Sequence, residues 1–285
     1  MWTNIFKFLI NTALALLKHK PEQQQVNEEV YQEIKETPEL NKVEPLPLIQ
    51  EPVNQPKQMK EFKIIQKLLP PSQYVQDSKF VPKSIVLHHT NGHSAQSTFN
   101  YWLSNKERIA THFLIDRDGS IYQCIPLDKC WGYHLYVAAP DNKISREYKK
   151  LASAYDKQSI GIELCNISQL VPYENKFLDT YGKVFKDHSK ITKLDKPFRG
   201  YEYWESYTKE QLDSLEFLLL DLIDNYPIIG TGLKDDYSNE FDISLDALNM
   251  KPGVYFHVNY RTGTKWDLYP HPELIKMLNL LKNKI

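Results

Sequence analysis

A chain of 285 residues, 41% hydrophobic and 25% charged, has the composition of a soluble globular protein and is long enough for one large domain or two small ones. Its formal net charge of −1 excludes the global basic field with which nucleic-acid binders gather phosphates. Three cysteines, Cys124, Cys130 and Cys165, form no C-x-x-C pair, which excludes a disulfide framework and a zinc knuckle and reads as buried thiols; a single Cys124–Cys130 bridge stays open for an exported chain.

Residues 1–20 hold an apolar stretch from Phe8 to Leu17, too short for a bilayer span, which takes about 20 apolar residues. Three readings stay open there. It is the core of an export signal, although Lys7 is the lone basic residue before it and no small-residue cleavage site follows. It is an amphipathic surface helix, with Trp2, Ile5, Phe6, Leu9, Ala13, Leu16 and Leu17 at helical spacing, or it is a plain terminal helix. Residues 21–60 contain six prolines, no glycine and eight glutamates against four lysines. Such a segment buries too little apolar surface to offset its ordering entropy, so a disordered tether is expected.

From residue 61 to 285 the pattern is that of a folded domain. Ser84 to His88 reads as a buried strand. Ser94 caps a helix with Phe99, Trp102 and Leu103 on one face. Thr111–Ile115 and Ser120–Cys124 flank the turn Asp116-Arg-Asp-Gly119 as a hairpin. Ser159–Cys165 is a further strand, and Thr208 with Gln211 makes a capping-box signature for a long helix burying Leu212, Leu215, Leu219, Leu222 and Ile223. Val254–His257 reads as a short strand and Pro272 opens a last helix. Strands interleaved with helices predict an α/β domain with a central mixed sheet.

Polar residues interrupt these apolar strands at particular points. His88 and His89 end the first strand, Glu163 sits inside another, and His257 is followed by Lys265 and Asp267 within ten residues. A carboxylate in a buried strand is costly unless it is paired, hydrogen-bonded or beside a metal. Two histidines and one carboxylate are a known zinc ligand set that leaves a position for water. Isolated histidines at strand ends are more often structural, so spacing alone leaves both readings open.

Four separated motifs in one order resemble the type 2 N-acetylmuramoyl-L-alanine amidase family, which includes phage endolysins and animal peptidoglycan-recognition proteins. They are Ile85-Val-Leu-His-His-Thr90, the segment from Thr111 to Tyr122, Ser159-Ile-Gly-Ile-Glu-Leu164 with Cys165 and Asn166, and the run from His257 through Lys265 to Asp267. The resemblance covers most of residues 80–285. It implies a central mixed sheet flanked by helices, Zn2+ held by His88, His257 and Asp267, Glu163 as general base and Lys265 as the cation for the developing oxyanion. His112, Trp131 and His134 are carried as candidate substrate contacts, His112 reading also as a structural hydrogen-bond partner. The implied substrate is the bond between N-acetylmuramic acid and L-alanine in bacterial peptidoglycan, at the cell envelope or host wall. From the sequence itself come no nucleic-acid partner, a monomer by default, and, on the anchor reading of residues 1–20, association with a membrane.

The chain departs from the family at two points. Thr111 stands where several phage enzymes carry a tyrosine, so the glutamate-using bacterial branch is the nearer one. Leu268 stands where that branch has proline. Two other functions remain: a non-catalytic peptidoglycan binder, against which the complete residue set argues, and an amidase of soluble muropeptides. Insertions at about 135–157 and 167–206 exceed the smallest members. The second concentrates rings from Tyr173 to Trp204, expected as a small cluster under a long loop or as a groove wall.

Overall fold

The structure, a computed structural model, describes residues 62–135, 153–261 and 265–285. The segments expected over 1–20 and 21–60, and most of the insertion at 135–157, lie outside the described residues. The architecture is the expected α/β one with a central mixed sheet. Its six strands are β1 (Ile64–Gln66), β3 (Ser84–His89), β4 (Phe113–Ile115), β5 (Ile121–Gln123), β7 (Ser159–Leu164) and β13 (Gly253–Phe256), in the spatial order β1-β5-β4-β7-β3-β13. A small ribbon pairs β2 (Val75–Gln76) with β6 (Cys130–Trp131). All pairings in the central sheet are parallel except the β4–β5 hairpin. Its turn needs Gly119, whose φ is +82° and whose missing side chain lets Glu210 pass: a Cβ there would sit 2.7 Å from the Glu210 carbonyl oxygen.

β3 and β7 are β-branched and leucine-rich runs because both faces of the middle strands are covered. Helix α1 (Ala95–Ser104) starts at Ser94, whose side chain accepts from the Ser97 backbone in a capping box. Phe99 and Trp102 face the core, but Leu103, expected beside them, is 43% exposed because it falls one position round the helix. Helix α2 (Lys209–Asn225) starts at Thr208, with the expected Thr208–Gln211 capping box and the five expected apolar residues buried. It shares a core with β3, β7, β13 and α4 (Pro272–Leu281); truncating any fully buried leucine there, Leu219 for example, costs about 2–5 kcal/mol. A short helix, α3 (Leu245–Leu248), precedes β13. The three cysteines are buried and free, so the Cys124–Cys130 bridge does not form.

The insertion at 167–206 is a second sheet, neither a loop nor a small satellite cluster. Five antiparallel strands, β8 (Gln169–Tyr173), β9 (Lys176–Leu178), β10 (Val184–Phe185), β11 (Ile191–Phe198) and β12 (Tyr201–Glu205), run in the order β10-β9-β8-β12-β11. Its rings divide. Trp204 and Tyr201 join the main core, whereas Tyr173 and Tyr181 are 48% and 59% exposed.

Candidate active site

In an open sheet the carboxyl ends of parallel strands form the natural crevice for ligands. Here β7, β3 and β13 lie side by side and end together, with His88 on β3 directly opposite Glu163 on β7. The third strand stops at Phe256, one residue short of the expectation, and His257 opens a 3-10 turn, His257–Asn259. That turn points the chain back, so Asp267 returns to the same edge, where its backbone carbonyl accepts from the Val258 N–H at 3.0 Å.

Three donor atoms converge. His88 Nδ1 stands 2.8 Å from His257 Nδ1 and 3.4 Å from Asp267 Oδ2, and His257 Nδ1 is 3.0 Å from the same oxygen. Consecutive strand residues leave opposite faces, so His89 is taken elsewhere, its ring nitrogens held by Tyr207 Oη at 3.1 Å and Ser168 Oγ at 3.0 Å. Burial pushes the His88 imidazole down, against its hydrogen bond and attraction to Asp267. Burial and the Lys265 charge push His257 down to about 3. Burial would raise the Asp267 carboxyl, but Lys265, His257 and His88 outweigh it and hold the group well below the carboxylate range. Near neutral pH the cluster is therefore two neutral imidazoles and one carboxylate.

Those are the protonation states a divalent metal requires. In tetrahedral zinc sites with bonds of about 2.0–2.2 Å, donor atoms stand about 3.3–3.6 Å apart, so the spacing here is close to a ligand shell. The donor set fits the zinc that the sequence resemblance implies: His88, His257 and Asp267 would hold it.

Glu163 is half-buried, and its Oε2 has no partner among the described residues. Burial, with the Asp267 charge adding and Lys265 opposing, pushes its carboxyl up to about 8. An unpaired, raised carboxyl beside a ligand cluster is the arrangement expected of a proton-transfer group. The Lys265 ammonium is half-buried, 3.8 Å from Asp267 Oδ1, and its backbone carbonyl accepts from the Arg199 guanidinium of the inserted sheet. All five residues open into a cavity of about 1700 Å³, walled on one side by α1 and on the other by β8 and the Asp179–Lys183 turn.

The three candidate substrate contacts are placed differently. His112 is fully buried, its Nε2 on the Cys130 carbonyl at 3.1 Å and its Nδ1 accepting from the Gly161 N–H at 3.1 Å, so it holds strands together and does not reach the cavity. Trp131 is also buried, edge-on to Tyr133 and under the Lys157 ammonium. His134 borders the cavity floor, but it is 4% exposed and both its ring nitrogens are engaged, one of them with His88 Nε2 at 3.0 Å. Sequence reasoning missed that partnership. Its one signal was a histidine two residues after an aromatic–glycine pair, and such a signal names no partner.

A family model described as N-acetylmuramoyl-L-alanine amidase matches residues 78–270. Among solved structures, the chain is similar to the N-acetylmuramoyl-L-alanine amidase LysC from Clostridium intestinale, at 18% identity and a TM-score of 0.39 over 78% of this chain and 96% of that one. It is also similar to the Staphylococcus aureus hydrolase AmiA, at 15% identity and a TM-score of 0.44 over 79% of this chain and 84% of that one. For PlyL the values are 17% and 0.41, over 78% and 98%. No curated protein matches the chain. The class is that of enzymes that hydrolyse amide bonds. More particularly, since the match spans more than half its length, the chain belongs to the N-acetylmuramoyl-L-alanine amidase family, whose activity is directed at peptidoglycan.

Proposed function

We propose that this protein is a zinc-dependent amidase that cuts the bond between N-acetylmuramic acid and the L-alanine of the stem peptide in intact cell wall. The observation that carries the reading is the convergence of His88 Nδ1, His257 Nδ1 and Asp267 Oδ2 within 3.4 Å, directly beside Glu163. A zinc ion bound there supplies Lewis acidity, lowering the pKa of water to about 7 and polarising a carbonyl. The rest falls to the chain's own groups. Glu163 in its ionised form, which the positive charge of a bound zinc would favour, takes a proton from the attacking water at a carboxyl oxygen and returns it to the nitrogen of the leaving L-alanine, as an acid–base group must within one turnover. Lys265 presents its ammonium from the loop that carries Asp267, where it opposes negative charge developing on the carbonyl oxygen. The size of the cavity favours a polymeric substrate over a small fragment, since small-molecule pockets run to about 300–1,000 Å³. Among the described residues no helix is long and apolar enough to cross a membrane, and the anchoring expected of residues 1–20 rests on sequence alone.

The test is mass spectrometry of purified peptidoglycan incubated with the protein, with and without a chelator. Stem peptides bearing a free L-alanine amine, absent after chelation and restored by zinc, are the expected result. Intact wall despite zinc uptake would turn the reading towards a peptidoglycan binder, and cuts elsewhere would change the bond.

A further inference from the structure

The cluster of three donors is asymmetric behind its rings. His257 Nε2 is buried and has no partner among the described residues. His88 Nε2 lies 3.0 Å from His134 Nδ1, with the two rings edge to face at 85°. We infer that His134 is a positioning residue that fixes the tautomer and tilt of His88, aiming the His88 Nδ1 lone pair at the point between Asp267 and His257. This rests on the zinc reading above and deepens it.

The proton order follows from one requirement. If His88 Nδ1 is to bind a metal, the ring must carry its hydrogen on Nε2, and that hydrogen then needs an acceptor in a buried site. His134 Nδ1 is the atom in reach, so His134 carries its own hydrogen on Nε2. That second N–H has an acceptor waiting: Ser159 Oγ lies 3.1 Å away, and Asp156 Oδ1 stands 3.8 Å off. The Ser159 hydroxyl in turn donates to the Tyr155 carbonyl at 2.9 Å. Every hydrogen in the chain His88–His134–Ser159 has an acceptor, and reversing any link would leave a buried donor facing another donor.

The surroundings hold the ring in place. Asp156 is wholly buried, and its Oδ1 accepts from the backbone N–H groups of His134 (3.1 Å) and Leu135 (2.9 Å). The loop that delivers the ring is thereby pinned to the start of β7. Gly161 provides the space: a Cβ there would lie 2.9 Å from His134 Cγ and 2.8 Å from the Thr111 methyl, so the ring lies flat against a strand position where no side chain fits. A merely space-filling histidine would need neither the fixed backbone nor an acceptor for each ring hydrogen.

The discriminating pair is His134→Asn against His134→Leu in the full chain. The two side chains share a shape, but only asparagine places an acceptor oxygen where Nδ1 stands. Zinc affinity, read by competition with a chromophoric chelator, is expected to fall about 10–100-fold in His134→Leu, the usual cost of losing such a partner, and to stay near wild type in His134→Asn. Nitrogen NMR of the histidine rings in zinc-loaded wild type reads the tautomers without any substitution, so the inference survives a variant that fails to fold. Hydrogen on Nε2 of both His88 and His134 is expected. Hydrogen on His134 Nδ1, or zinc held as tightly by His134→Leu as by wild type, overturns the inference while leaving the amidase reading standing. A wild-type chain that takes up no zinc overturns both.

Discussion

The two sheets are built on different rules. In the central sheet, β3 is buried at all six positions and β7 at five of six, the exception being Glu163. In the inserted sheet, β11 is buried only at Leu194, and Lys193, Asp195 and Lys196 face water. The central sheet sends His88, Glu163 and His257 to one edge; the inserted sheet supplies none of these groups. It contributes support instead. Trp204 stacks on Tyr269 at 4.6 Å with Tyr207 on the same ring at 5.2 Å, only two residues past Asp267, while Arg199 holds the Lys265 carbonyl. The inserted sheet is fastened in turn by Arg117, whose guanidinium meets Glu205 through two bonds of 2.7 Å. Groups that ride on a sheet are placed by its strands; residues 265–270 lie in no helix or strand and are placed by these contacts with their neighbours.

This comparison can be broken or sharpened. The largest effect is expected from the central sheet: Glu163→Gln should lower kcat by about 10²–10⁴ while zinc affinity and melting temperature stay near wild type. Next comes the inserted sheet. Trp204→Ala should destabilise the protein by about 3–5 kcal/mol in chemical denaturation and weaken zinc binding through the Asp267 loop. Loss of stability with unchanged zinc affinity would show the second sheet to be an ornament and not a brace.

A smaller effect tests the supports of the central sheet. Burial pushes the Asp156 carboxyl up to about 7, against hydrogen bonds from Leu135 and His134. The folded state thus holds this proton more tightly than the unfolded chain, so stability is greatest at low pH and falls as pH rises from about 4 through about 7. Asp156→Asn keeps the acceptor oxygen and cannot ionise. It should remove a decline of about 2–3 kcal/mol between about pH 5 and about pH 8, seen in parallel denaturation curves. The smallest effect is expected at Tyr181, an exposed ring whose hydroxyl is tied to the Asn91 carbonyl at 2.8 Å on the cavity rim. Tyr181→Ala should reduce kcat/KM on intact wall about 2–10-fold, with less loss on a short muramoyl-peptide. Equal losses on both substrates would deny the inserted sheet any part in holding the polymer.

What could be read from the sequence follows the same division. β3, β7 and β13 are apolar runs that announce themselves, and the caps at Ser94 and Thr208 are local chemistry. β8 to β12 carry no such signature, because a sheet solvated on one side and paired over short strands leaves charged and aromatic residues in an order that resembles a loop. At the site, His88, Glu163, His257 and Asp267 stood out as polar interruptions with a family resemblance, and the structure brings them together. His112 and Trp131 also lay in family-like segments, yet backbone register turns them inward. The contact between His134 and His88 depends on a loop crossing β7 at Gly161, a matter of packing that no spacing encodes.

The donors themselves are far apart along the chain: 169 residues separate His88 from its ring partner His257. A ribosome adding about 5–20 residues per second needs roughly 10–30 s to cover that distance. Throughout this interval the nascent chain holds one histidine of the cluster and no second donor, and the edge strand that delivers the other, β13, is among the last elements to emerge. Under the proposed zinc reading the chain therefore gains its full ligand set only once β13 and the segment up to Asp267 have been made. On that reading, any product truncated before β13 lacks both His257 and Asp267 and is expected to hold no zinc at this cluster.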